Sequence, residues 1–218
     1  MTASASPNHG DRRGGVRPTL IVLHYTGMPS LAQARARLCD PVHEVSAHWL
    51  LATGGTAEPL VSEDHRAWHA GAGSWGAITD VNSASIGIEI QNPGNAPFPE
   101  PQMAGLEQLL AGIMQRWDIP PQGIIAHSDM APTRKIDPGP RFDWRRLARM
   151  GLSIWPEAGQ GAVADFATLA HRFGYPAVAH SALLNAFRLR FRPWAKGPFD
   201  ATDAAMAADL ASKFPAPR

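Results

Sequence analysis

The 218-residue chain has a formal net charge of +1, with 44% hydrophobic and 18% charged residues. That balance supplies enough apolar side chain for a packed core and argues against global disorder. The near-neutral charge without a basic run gives no case for a nucleic-acid partner, no stretch approaches the ~20 apolar residues of a membrane span, and one cysteine, Cys39, excludes an intrachain disulfide.

Residues 1–17 are rich in Ser, Asn, Gly and Arg and lack an apolar h-region, so the sequence predicts a flexible N-terminal arm and no standard signal peptide. Taken as given, that start implies the cytoplasm, and a missing leader implies the cell envelope. Thr19-Leu-Ile-Val-Leu-His24 reads as a strand buried on both faces, with His24 at the end where open α/β sheets place ligands. Ser30 should cap a helix over residues 31–39, with Pro41 beyond it, Arg35 and Arg37 on a solvated face and Cys39 half-buried or buried. Residues 48–53 and 56–61 read as two strands joined by a tight turn at Gly54-Gly55. Residues 62–82 hold Gly, His and Trp without periodicity, a long loop of the kind that usually carries function. Trp68, His69 and Trp75 there either line a groove or, for the first two, pin the loop.

Residues 85–91 form the next expected strand, with Ile86, Ile88 and Ile90 on one face and Glu89 on the other beside Gly87 and Gln91. A glutamate inside so apolar a strand needs either an arginine partner or a role in proton transfer. A helix over 101–117 carries an apolar stripe of Leu106, Leu109, Leu110, Ile113 and Trp117. Gly123-Ile-Ile-Ala126 then leads as a buried strand to His127, and three prolines and a glycine exclude helix and ladder from Pro132 to Pro140. A short helix over 142–150 follows. From about residue 156 three helical patterns appear, over 163–173, 180–191 and 202–214. Roughly 60 residues is small for an independent core, so they should dock on what precedes them, through Leu169, Phe173, Leu184, Phe187, Phe191, Met206 and Leu210.

A histidine at a strand end is ordinarily a hydrogen-bonded core residue. Two of them, His24 and His127, followed by Asp137, make a His/His/Asp set: three protein ligands and an open fourth position, the pattern of a catalytic zinc. Spacing alone leaves both readings open, because the three come from distant segments.

Ile21-Val-Leu-His-Tyr-Thr26, Val45-Ser-Ala-His-Trp49, Arg66-Ala-Trp-His-Ala-Gly71, Ser85-Ile-Gly-Ile-Glu-Ile90 and Ala126-His-Ser-Asp129 with Arg134-Lys-Ile-Asp-Pro-Gly-Pro140 together resemble the zinc-dependent N-acetylmuramoyl-L-alanine amidases, which share a fold with peptidoglycan-recognition proteins. The resemblance covers about residues 19–155, in the family's order. It implies an α/β fold with a mixed central β-sheet flanked by helices over residues 18–155. It also implies one Zn²⁺ per chain held by His24, His127 and Asp137, with Glu89 as general base and Lys135 stabilising the oxyanion. The substrate would be peptidoglycan or a muropeptide, cut between N-acetylmuramic acid (or its 1,6-anhydro form) and L-alanine. Tyr25, Trp68, His69 and Arg134 are the expected substrate contacts, Arg134 alternatively a loop salt bridge, and Asp129 is expected to hold the loop or to hydrogen-bond behind the ligands, rather than to bind the metal itself. Thr133 stands where the family usually has Gly, and Ile136 where a polar residue is commoner. Residues 156–218, with Leu183-Leu-Asn-Ala-Phe-Arg-Leu-Arg-Phe-Arg-Pro193, more loosely resemble a three-helix peptidoglycan-binding domain, a plain helical extension being the alternative. A non-catalytic peptidoglycan sensor on the same scaffold is the rival function, and such relatives lose a zinc ligand.

Overall fold

In the computed structural model, which describes residues 5–157 and 165–216, the elements run β1 (His9–Gly10), β2 (Leu20–Tyr25), α1 (Leu31–Cys39), β3 (Trp49–Leu51), β4 (Ala57–Pro59), β5 (Arg66–Ala67), α2 (Val81–Ala84), β6 (Ser85–Ile90), α3 (Glu100–Trp117), β7 (Ile124–Ala126), α4 (His127–Met130), α5 (Trp144–Arg149), α6 (Phe166–Phe173), α7 (His180–Phe191) and α8 (Ala201–Lys213). The central sheet has the order β4-β3-β6-β2-β7. Its four inner pairings are parallel except β3 with β4, which close an antiparallel hairpin. The sheet is therefore mixed. The run Leu-Ile-Val-Leu takes β2 to the interior of the sheet, where Ile21, Val22 and Leu23 are fully buried, as a strand with helices on both faces requires.

Alternation sorts the strand residues into two apolar layers. Ile21 and Leu23 of β2, Ile86, Ile88 and Ile90 of β6, and Ile124 and Ala126 of β7 pack with Met103, Leu106, Leu110 and Ile113 of α3 and with Trp144 and Leu147 of α5. The α3 stripe thus does what its spacing predicts, although Leu109 and Trp117 lie at its partly buried margin. On the other face, Leu20, Val22 and Ile125 pack in one continuous cluster with Phe166 and Phe173 of α6, Phe187 and Phe191 of α7, and Met206 and Leu210 of α8. Those three helices therefore form the second layer over the sheet. The pattern expected over 163–173 is described from Phe166 onward, and residues 158–164 lie outside the described residues.

Two expectations are corrected. Residues 5–17 are not a free arm: Ser6 donates to the Leu38 carbonyl (2.6 Å), Asn8 to those of Asp40 and Val45 (2.9 and 2.8 Å), and β1 pairs with β5. Arg12, 9% exposed, donates to the carbonyls of Ser83 (2.5 Å) and Glu63 (2.8 Å). Polar side chains that looked like a solvated tail satisfy backbone carbonyls of the loops, which composition does not reveal. Trp75 borders no cavity of the His24 end of the sheet; it edges a separate hollow of about 240 Å³ with Ile78, Phe173 and Phe214. It is 5% exposed and packs edge-on against Phe173 and Tyr175, inside the layer formed with the C-terminal helices.

Candidate active site

Sheet register sets the first distance of the site. β2 and β6 run parallel with His24 opposite Glu89, so the two side chains stand next to each other on the same face at the C-terminal end of the sheet. β7 ends one residue before His127, which opens the short turn α4. The stiff segment after α4 brings Asp137 back, and Ser128 N–H donates to the Asp137 carbonyl at 3.0 Å. His24, His127 and Asp137, 113 residues apart at the extremes, are all buried and converge.

Hydrogen-bond chains fix which imidazole nitrogens face inward. The Ser85 hydroxyl donates to the Val81 carbonyl at 2.5 Å, so its oxygen accepts from His69 Nε2–H at 3.2 Å. His69 Nδ1 then accepts from His24 Nε2–H at 3.0 Å, which leaves the Nδ1 lone pair of His24 free. His127 Nε2–H donates to the Ala70 carbonyl at 2.9 Å, leaving its Nδ1 lone pair free too. The two Nδ1 atoms are 2.8 Å apart and lie 3.1 and 3.0 Å from Asp137 Oδ2. Three lone pairs packed this closely repel unless a cation sits among them. Donors at ~2.0–2.1 Å from a tetrahedral ion are separated by roughly 3.3 Å, so a small outward shift fits this set around zinc. The donor set suits it.

Electrostatics point the same way. Burial, and after it the neighbouring His127, pushes the His24 imidazole down to about 4, so it is neutral and ligand-competent. Burial and the adjacent histidines likewise take His69 well below its usual value. Burial lifts the Glu89 carboxyl well above the carboxylate range, the nearby Asp137 charge adds to this, and Lys135 opposes it. Glu89 Oε2 is buried without a hydrogen-bond partner, and among the described residues no arginine is paired with Glu89.

These residues line an open pocket of about 460 Å³ together with Tyr25, Arg134, Lys135 and Ile136, a volume suited to a small polar ligand. Beyond Glu89 a narrower cleft continues between Trp68, Met28 and Arg37. Of the expected substrate contacts, Tyr25 and Trp68 face these cavities. Arg134 makes no loop salt bridge among the described residues; it donates to the Ala70 and Ala72 carbonyls at 2.8 and 2.5 Å. His69, 9% exposed, also borders both cavities and accepts from His24 Nε2–H at 3.0 Å. Asp129 stands outside the three-residue ligand cluster and pins the turn that carries His127: its Oδ2 accepts the Ala126 N–H at 2.8 Å.

Sequence reading passed over Gly87, Asn82 and Ser85. A Cβ at Gly87 would lie 2.3 Å from the His69 ring, so the bare backbone is what lets that ring lie against the sheet. Asn82 Oδ1 accepts from the His69 and Ala70 N–H groups at 3.0 and 2.8 Å. The glycine inside an otherwise β-branched strand was the one signal available.

A family model described as N-acetylmuramoyl-L-alanine amidase matches residues 14–140. The chain is 33% identical to the N-acetylmuramoyl-L-alanine amidase AmiD of Escherichia coli strain K12, over 91% of this chain and 84% of the relative. It is 32% identical to the 1,6-anhydro-N-acetylmuramyl-L-alanine amidase AmpD of Enterobacter cloacae, over 66% of this chain and 87% of that protein. The solved complex of E. coli AmiD with anhydro-N-acetylmuramic acid-L-Ala-D-gamma-Glu-L-Lys superposes with a TM-score of 0.84 at 32% identity, covering 94% of this chain and 93% of that one. AmpDh3 from Pseudomonas aeruginosa superposes with a TM-score of 0.82 at 29% identity, over 99% and 100% of the two chains.

Proposed function

The chain belongs to the N-acetylmuramoyl-L-alanine amidase family, and from that premise we propose that His24, His127 and Asp137 hold one zinc ion beside Glu89 and Lys135. It is a hydrolase of the amide between N-acetylmuramic acid, or its 1,6-anhydro form, and L-alanine, in cell-wall turnover. The observation that carries the site assignment is the convergence of three ligand lone pairs one strand away from a half-buried glutamate whose Oε2 has no hydrogen-bond partner.

Zinc in such a set supplies Lewis acidity, which lowers the pKa of a water toward ~7 and polarises a carbonyl. Glu89 supplies the proton traffic. With its affinity for a proton raised by burial, the Glu89 carboxylate takes a proton from the attacking water and passes it to the departing L-alanine nitrogen. Lys135, two residues before Asp137 on the same stiff segment, carries the positive charge that meets the developing oxyanion. Tyr25, Trp68 and Arg134 flank the approach and are proposed to orient the sugar and stem peptide, Arg134 by the guanidinium nitrogens that its two loop carbonyls leave free. Residues 156–218 are proposed to form a small three-helix domain of peptidoglycan-binding type that shares its core with residues 18–155. Support for a binding role comes from a groove of about 770 Å³ between α7 and the segment after it, edged by Pro140 of the metal loop.

Metal content and amide cleavage, measured on wild type and Glu89→Ala, test the assignment. One zinc in both proteins, with cleavage by wild type alone, is the expected result. A zinc-free wild type, or normal turnover by Glu89→Ala, would remove the site as drawn. Rates on intact sacculi against soluble anhydro-muropeptide identify which material the pocket prefers.

A further inference from the structure

Arg190 is a buried cation with no counterpart in the sequence reading. It lies on α7, is 1% exposed, and reaches across to the catalytic half of the molecule. Its Nη1 donates to Asp129 Oδ2 at 2.7 Å and its Nη2 to the Ile124 carbonyl at 2.8 Å. The guanidinium rests on the Trp144 ring, 4.5 Å from its centroid, with Phe191 4.9 Å away on α7 itself. Tyr175, from the turn after α6, donates its hydroxyl to Asp129 Oδ1 at 2.7 Å. Asp129 is fully buried, and its remaining bond takes the N–H of Ala126.

The geometry of these bonds matters more than their number. Asp129 sits on α4, two residues after His127, and Ala126 immediately precedes it. Among the described residues β7 is an edge strand, joined to the sheet only through β2, and its outer side has no ladder to fix it. Arg190 bonds to the first residue of that strand and Asp129 to the last. The two C-terminal side chains therefore hold the edge strand and the turn that aims His127 Nδ1 at Asp137.

We propose that Arg190 and Tyr175 are positioning residues for the metal centre, acting through Asp129 and the 124–130 backbone, and that the C-terminal helices are an integral support of that centre. This rests on the zinc reading above. Neither residue reaches the pocket, so their effect is on how well the ligand set is preorganised. Losing either partner leaves the fully buried Asp129 short of a hydrogen bond, and the turn relaxes to find a replacement.

The test uses the full chain. Zinc affinity is read by competition with a chromophoric chelator, and the visible spectrum of the Co²⁺-loaded protein reports on ligand geometry. Tyr175→Phe keeps shape and removes one bond; Arg190→Met removes the charge and both donors. Zinc binding is expected to weaken about tenfold in Tyr175→Phe and about tenfold to a hundredfold in Arg190→Met, with an altered Co²⁺ spectrum in each. Asp203→Asn is the control, because Asp203 pairs with Arg188 at 2.5 Å wholly within the C-terminal helices. It should lower the melting temperature and leave zinc affinity unchanged. Unchanged affinity and spectrum in folded Tyr175→Phe overturn the proposal, and so does an equal loss in Asp203→Asn. Should Arg190→Met fail to fold, Tyr175→Phe decides alone. A wild type that binds no zinc refutes the parent reading instead.

Discussion

Replacing Gly87 by alanine probes the support of His24 while every ligand and pocket-lining side chain is kept. The new Cβ would stand 2.3, 2.4 and 2.6 Å from three atoms of the His69 ring. To reach even a tight 3.4 Å contact, the ring has to retreat by about 1.1 Å. It is pinned at both nitrogens, 3.0 Å from His24 Nε2 and 3.2 Å from Ser85 Oγ, and its backbone N–H is held by Asn82. A displacement of that size stretches at least one of the two ring bonds past hydrogen-bonding range. Overpacking costs about 1–3 kcal/mol and a lost neutral hydrogen bond about 1 kcal/mol. A total of roughly 2–4 kcal/mol lowers Tm by about 4–16 °C in a chain of this size. Because His24 loses the acceptor that fixes its tautomer, zinc affinity should fall about 10–100-fold. Thermal unfolding of metal-free protein reads the first quantity and chelator competition the second. A Gly87→Ala protein with wild-type Tm and wild-type zinc affinity would show that the His69 chain does not hold the site.

Glu89→Gln should keep zinc and lose about 10²–10⁴ in kcat. Its metal-free form should also melt above metal-free wild type at pH 7. Burial lifts the folded-state pKa of Glu89 well above 4.5, so as pH rises past that value ionisation favours the unfolded chain; the amide removes this penalty, and the difference should vanish below about pH 4. Lys135→Met should cut kcat by about 10²–10³ with zinc stoichiometry unchanged, and a drop in bound zinc instead would reassign the residue to site structure. Glu63 accepts from Trp49 Nε1, Trp117 Nε1 and Arg116, which together outweigh burial and hold its carboxyl below 4.5. Its stabilisation is present above about pH 4.5 and is lost as pH falls through the folded-state value, so Glu63→Gln should cost about 1.5–3 kcal/mol at neutral pH and flatten the acid limb of the Tm–pH curve. Chelation of a sample held at a hundredfold excess of zinc over Kd should remove about 2.7 kcal/mol of stability; an unchanged Tm on chelation argues against zinc in the folded protein.

Local pattern made most of the elements legible. The β-branched run of β2, the alternation that isolates Glu89 from Ile86, Ile88 and Ile90, and the stripe of α3 each follow from which face must be buried, a property carried by residues close in sequence. The His/His/Asp set was legible as residue types at strand ends and as motifs in a familiar order, and the fold brings the three together. The N-terminal segment was misread because its polar residues bond to backbone carbonyls of distant loops, and no composition signals such a partner.

What the sequence by itself determined, then, was which residues are apolar, in which period, and which of them bear ligand chemistry. Tertiary structure alone decided the tautomers of His24 and His127, because those depend on His69, Ser85 and Ala70 arriving from other segments. It alone decided that α6, α7 and α8 cover one face of the sheet, since an amphipathic helix specifies its own buried side and not the surface it meets. The ion pair of Arg190 with Asp129 belongs to the same class. A charged residue on a helix reads as solvent-facing until the fold surrounds it with a carboxylate, a carbonyl and an aromatic face.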